Sequence, residues 1–480
     1  MEHFPHKKKQ KSPNFLDSVF HKKFSAQEII FILLSGLILA SAVIYSPRLF
    51  FLFVILSIVI FFSYNLHWAI YILGFFAFFI GWQINFGSHN WSKNIPYLGS
   101  INGPAVDFIS ILILISIIFT IFHGSTKINW KSILGRLKGW YWYLLFLLTA
   151  FISFTSAYDN EFGTSLKYFF RPMVFVYIAF VFLPVILIYN KQILQNLLKL
   201  WYWVGVAIAT FGLSSFLFTT QSGWLRAVPY NILSFAPLGY NHNLLAEPLV
   251  IIIPIGFYFF LKTQKNLYLY GALLMIVTAL LTLSRAAWIS LILEALIFGF
   301  IYRNHVIKWY KNTKESLGLL VIVVILPIFF YMGLFLGSTV VKSSTFARLE
   351  MTQIMYSYFE RAPLIGYGPG TFILLLRDTF VYRVEFGDPL ESHGFLQKIA
   401  LEEGFIGLFF FLAFLFNILY LLWKNQKKSD DIIFTALLLS VSGIICFQLF
   451  NTSYFNSVMW VPIGVSIAAL GVSQHSYEKK

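Results

Sequence analysis

The residue best suited to move a proton is His393. It stands in Ser392-His393-Gly394, just ahead of a stretch where Phe395, Leu396, Ile399 and Ala400 recur at helical spacing. A histidine at a helix start meets the positive end of the helix dipole, which favours the neutral imidazole. Neutral imidazole can accept a proton, as a general base must. The competing reading is a histidine that caps or packs. Arg348 opens a long polar segment, and two further arginines place fixed charge beside apolar sequence: Arg285 in Ser284-Arg285 between two apolar runs, and Arg171 just inside another apolar run. Charge at such places is costly, which marks each as a functional candidate. For Arg171, snorkelling to lipid phosphates is an equal reading.

A second kind of signal is backbone freedom. Pro363-Leu-Ile-Gly366-Tyr-Gly368-Pro369-Gly370 reads as a rigid, non-helical turn. Gly366, Gly368 and Gly370 would let the chain approach a ligand closely, unless the segment is a plain connector. Asn241-His242-Asn243 precedes an apolar run and reads as a helix cap, with Asn243 a candidate contact to substrate. Glu247 and Glu294 are acids inside apolar runs, able to pair with an arginine or to order a bundle. The sequence carries no phosphate-binding glycine loop before Lys-Ser/Thr, no His-Glu-x-x-His, no paired cysteines and no Asp-rich cluster. ATP hydrolysis and metal-dependent sugar-nucleotide chemistry are therefore not expected, nor are a metal or any other cofactor.

These residues interrupt a chain of 480 residues that is 58% apolar, 20% aromatic and only 11% charged. A soluble domain carries about 25% charged residues. The expected fold is an all-α, polytopic transmembrane helix bundle. Apolar runs fall at 27–46, 49–64, 66–82, 104–123, 139–157, 168–189, 197–219, 243–261, 267–283, 286–303, 316–336, 404–423, 431–450 and 456–473, which predicts about 14 spans, with 12 as the lower bound. Most of the 35 lysines and arginines fall in the two terminal tails and in alternate short loops, so the net charge of +15 is mainly an orientation code rather than a nucleic-acid surface. That code places both termini in the cytoplasm and the long segment 338–403 outside, where function is expected. The single cysteine, Cys446, sits in an apolar run.

In this order the residues resemble the O-antigen ligase and polymerase family of bacterial membrane glycosyltransferases. The resemblance covers about 235–425. It rests on Asn241 to Leu244, Ser284-Arg285, Arg348, the turn from Pro363, and His393 followed after ten residues by Gly404-x-x-Gly407. Gly394 departs from the Asn, Ser or Gln that often follows the histidine. The chain then divides into a basic cytoplasmic tail (1–26), N-terminal transmembrane helices (27–234), the ligase-like region (235–425) and C-terminal helices with a cytoplasmic tail (426–480). The resemblance implies a GT-C-like enzyme of the inner membrane, acting as a monomer. Its donor would be a glycan on undecaprenyl pyrophosphate and its acceptor a hydroxyl, most readily on lipid A–core. Arg285 and Arg348 would neutralise the leaving pyrophosphate, His393 would take the acceptor's proton, and direct displacement would invert the anomeric carbon. Arg171, Gly366, Gly368, Gly370 and Asn243 would contact substrate. A polymerase and a protein O-oligosaccharyltransferase remain alternatives within the family. A lipid-glycan transporter or flippase is the rival of another class, for which intramembrane acids and an internal repeat would be the signs.

Overall fold

The computed structural model describes residues 47–85, 102–122, 130–157, 162–219, 223–231, 236–303, 326–379, 393–428, 431–452 and 454–477. The tail 1–26, the run 27–46 and Ser392 lie outside these. The first half holds α1 (Pro47–Tyr64), α2 (Leu66–Phe76), α3 (Ala105–Phe122), α4 (Trp130–Arg136), α5 (Trp140–Ser153), α6 (Phe162–Leu187) and α7 (Lys191–Phe218). The second half holds α8 (His242–Thr263), α9 (Asn266–Leu281), α10 (Arg285–Ile301), α11 (Leu326–Leu336), α12 (Thr339–Phe359), α13 (Phe372–Arg377), α14 (Phe395–Lys428), α15 (Ile433–Gln448) and α16 (Ser457–Tyr477). One antiparallel ribbon, β1 (Gln83–Asn85) with β2 (Asn102–Pro104), is added to an otherwise helical fold.

Each apolar run from 49–64 onward contains a helix. Among the described residues, five helices (α3, α6, α7, α8 and α14) are long and apolar enough to cross a membrane alone, and up to seven spans result if α1–α2 and α11–α12 each count as one bent span. Helices α5, α9, α15 and α16 are apolar but shorter. The protein is a multi-pass membrane protein. Where 49–64 meets 66–82, α1 and α2 join at 118° on either side of Asn65.

Side chains start the helices that matter to the site. Asn241 accepts from the Asn243 amide at the head of α8, Ser284 Oγ accepts from Ala287 at the head of α10, and Ser338 Oγ accepts from Val341 at the head of α12. Pro172 lacks an amide hydrogen, and the turns around it widen to π geometry over Phe169–Phe175. Aromatic packing fills the centre: Tyr143 stacks on Tyr177 at 4.3 Å, and Trp460 lies among Tyr143, Phe411 and Phe414.

The most consequential local feature is a break in α14. Gly404 takes φ 69° and ψ −171°, so the helix is split into an outer limb, 395–403, and a long limb, 405–428. A break exposes backbone groups that need partners. The Pro363–Gly368 segment supplies them. Tyr367 N donates to Leu401 O at 3.0 Å and Gly368 N to Glu402 O at 2.8 Å, while Phe405 N donates to Pro363 O at 2.8 Å and Ile406 N to Leu364 O at 3.3 Å. The Glu402 carboxylate accepts from the Phe372 amide, 3.0 Å away, at the head of α13.

Candidate active site

Two residues ahead of α14, His393 is half-buried. The next residue, Gly394, has φ 143° and passes so close to the Leu449 carbonyl that a Cβ would not fit, which fixes where His393 is held. Burial, and after it the charges of Arg348 and Arg285, push the imidazole down to about pKa 4. At neutral pH it is therefore an uncharged proton acceptor.

The same charges show that the site brings together the three residues expected to act jointly. Arg285 follows the cap Ser284, and the turn before it is tight: Leu283 has φ 56°. The guanidinium reaches across to α12, donating from Nη1 to Thr345 Oγ1 at 2.8 Å and from Nη2 to Ser344 Oγ at 3.4 Å. Arg348 lies one turn further along α12, on the face that residues 344 and 345 share. Its Nε is buried and has no hydrogen-bond partner among the described residues. A buried donor without a partner costs roughly 1–3 kcal/mol, a cost that an anionic ligand would remove. Helix α14 is tied to α12 beside this point, because Gln397 Nε2 donates to Thr352 Oγ1 at 2.8 Å and Thr352 Oγ1 donates to Arg348 O.

Two further residues join the group. Arg226, in the connection between α7 and α8, brings Nη1 to 3.5 Å from Nδ1 of His242, and the charge of Arg348 also acts on that imidazole. Sequence reasoning gave His242 only as part of a cap and did not single out Arg226. The available signal was a cation in an aromatic connection facing a histidine sixteen residues on. Asn243 accepts from Ser284 Oγ at 2.7 Å, so it ties α8 to the turn that presents Arg285.

Gly366, Gly368 and Gly370 all have positive φ, at 71°, 94° and 77°. The close approaches they make are to protein. Gly366 lies against the carbonyls of Leu401 and Glu402, Gly368 beside Ser153 O and Ala157, and Gly370 against the Tyr168 ring. Their turn fills the break in α14 and thereby sets the limb that follows His393.

Arg171 belongs to a separate group. It sits in the π turn beside Pro172, and its Nη2 is 3.5 Å from Asp107 Oδ2, passing over Gly103, which leaves it room. The two acids within spans are structural neighbours of the bundle core. Glu247 accepts from Gln448 and, at 3.4 Å, from Asn451, while Glu294 is buried against Gly443 of α15.

Residues 270–412 match the family model described as O-antigen ligase. Arg285, Arg348, the glycine turn and His393 fall inside that match, whereas Arg171, Arg226, His242 and Asn243 fall before it. No curated protein matches the chain.

Proposed function

Starting from the O-antigen ligase family model, which residues 270–412 match, we propose that this membrane protein is a glycosyltransferase of the ligase type. Its donor is a glycan on undecaprenyl pyrophosphate and its acceptor is a hydroxyl of lipid A–core. The supporting observation is the neutral His393 flanked by Arg285 and Arg348, whose guanidiniums are met by hydroxyls or, at Arg348 Nε, by no partner among the described residues.

The roles follow from charge. His393 removes the acceptor's hydroxyl proton as that oxygen bonds to the anomeric carbon. The bond from the anomeric carbon to the pyrophosphate oxygen breaks, and the electron pair leaves with the lipid pyrophosphate. The negative charge gathering on the leaving group is met by Arg285 and Arg348, fixed donors matched to phosphate oxygens. A single displacement of this kind inverts the anomeric configuration. Arg226, held against His242 within reach of the charge of Arg348, is suited to a further phosphate oxygen.

The test is reconstitution of purified protein with a synthetic undecaprenyl-pyrophosphate oligosaccharide and a lipid A–core acceptor. Wild-type protein forms the glycosylated product and His393→Ala does not. Absence of transfer by the wild type to any hydroxyl acceptor overturns the reading.

A further inference from the structure

The group around Arg171 lines a cavity of its own. About 490 Å³ is enclosed by the heads of α3, α6 and α16, with Asp107, Lys167, Tyr168, Arg171, Phe455 and Asn456 on its wall. A recess of about 200 Å³ adjoins it, sharing Tyr168 and Asn456 and reaching Lys398. Together they fall within the range of ligand pockets, roughly 300–1,000 Å³. Lys398 Nζ lies 4.3 Å above the Tyr168 ring and 3.7 Å from Glu402, so the floor of the recess is fixed. Lys398 is five residues after His393, a chain distance of at most ~18 Å, so the floor of the recess lies within reach of the proposed reaction centre.

The wall has the mixed chemistry of a sugar site rather than of a lipid pocket. Asp107 accepts from hydroxyls, Asn456 both donates and accepts, and the rings of Tyr168 and Phe455 offer apolar edges. Among the described residues the charges do not cancel: Asp107 faces Arg171 and Glu402 faces Lys398, while exposed Lys167 adds one further cation at the rim. Arg171 itself is 59% exposed and open to a ligand. A lipid phosphate seated here would have to lie beside the Asp107 carboxylate. A sugar can turn a hydroxyl to Asp107 and its acidic group to Arg171 and Lys167.

We propose that this cleft is a glycan subsite that takes an acidic sugar of the acceptor, held by Arg171, Lys167, Asp107 and Asn456. The inference rests on the transferase reading, but its test is a binding measurement that needs no donor and no turnover. Purified full-length protein in phosphatidylcholine nanodiscs is titrated by calorimetry with a trisaccharide ending in glucuronate and with the same trisaccharide ending in glucose. The glucuronate form binds about tenfold tighter, the advantage shrinks as salt rises, and Lys167→Gln and Arg171→Gln each remove most of it. Lys167 is exposed, so its variant keeps the test valid should Arg171→Gln fail to fold. His393→Ala retains the preference, so loss of transfer and loss of this subsite are read separately. Equal affinity for the two trisaccharides overturns the proposal. So does a preference that survives in both variants, or one abolished by adding phosphatidylglycerol to the nanodisc, which would assign the cleft to a lipid headgroup.

Discussion

The two charged groups meet on one helix limb and solve opposite problems. Around His393 the cations are met by neutral partners: Arg285 by the hydroxyls of Ser344 and Thr345, Arg226 by an imidazole. Around Arg171 they are met by carboxylates, Asp107 for Arg171 and Glu402 for Lys398. A guanidinium held by hydroxyls keeps its full charge available, and that charge adds to burial in depressing the pKa of His393. A guanidinium held by a carboxylate has its field largely spent and serves position more than charge stabilisation. The first group is built for an anion whose charge grows during a reaction, the second, where only Lys167 adds an unmatched cation among the described residues, for a ligand whose charge does not change.

That contrast orders the expected effects of substitution. His393→Ala removes the proton acceptor and should lower kcat by about 10²–10⁴, measured as product formed from lipid-linked donor at saturating acceptor. A residual rate near wild type would leave the imidazole a packing role. Arg348→Ala and Arg285→Ala should each lower kcat/KM for donor by about 10²–10³, and lysine should restore little because it lacks the fork. If lysine restores full activity, the site needs a point charge rather than a shaped donor. The acid limb of kcat/KM should fall near pH 4, because His393 works only when unprotonated and protonates near there. Removing either arginine makes the imidazolium cheaper, so the limb should move up toward the ordinary 6.5 in Arg348→Ala; a limb that stays fixed would detach Arg348 from His393. In Gly404→Ala the new Cβ meets the Leu364 backbone at a φ that disfavours side chains. A loss of roughly 1–3 kcal/mol is expected, read as a lower thermal midpoint in detergent. Smallest is Arg171→Gln, which should raise KM for acceptor several-fold with donor kinetics unchanged, consistent with a cation already facing Asp107.

Residues that break an apolar pattern were the legible ones. His393 and Arg285 stand out in sequence because charge or imidazole beside a span needs a reason, Arg348 stands out through the family resemblance, and the structure groups the three. Helix positions were legible for the same cause, since a span must be apolar along its length. Arg226 and His242 were not, because their pairing depends on how a connection folds back over the head of α8. The glycines were legible as positive-φ turns but not in what they approach. Nothing local to 363–370 announces a break at Gly404, whose freed carbonyls and amides those residues satisfy. Asp107 was likewise silent, its partner Arg171 being more than sixty positions away in the chain.

The stitching of Pro363–Gly368 onto the broken helix also fixes how far sequence drift can go. Its hydrogen bonds pin both ends of the stretch between Gly368 and Glu402, which includes His393. Changes within Pro363–Gly368 or at Gly404 therefore reach the proton acceptor through the backbone alone, and drift there is confined to residues that keep those hydrogen bonds and the positive φ of Gly366, Gly368 and Gly404.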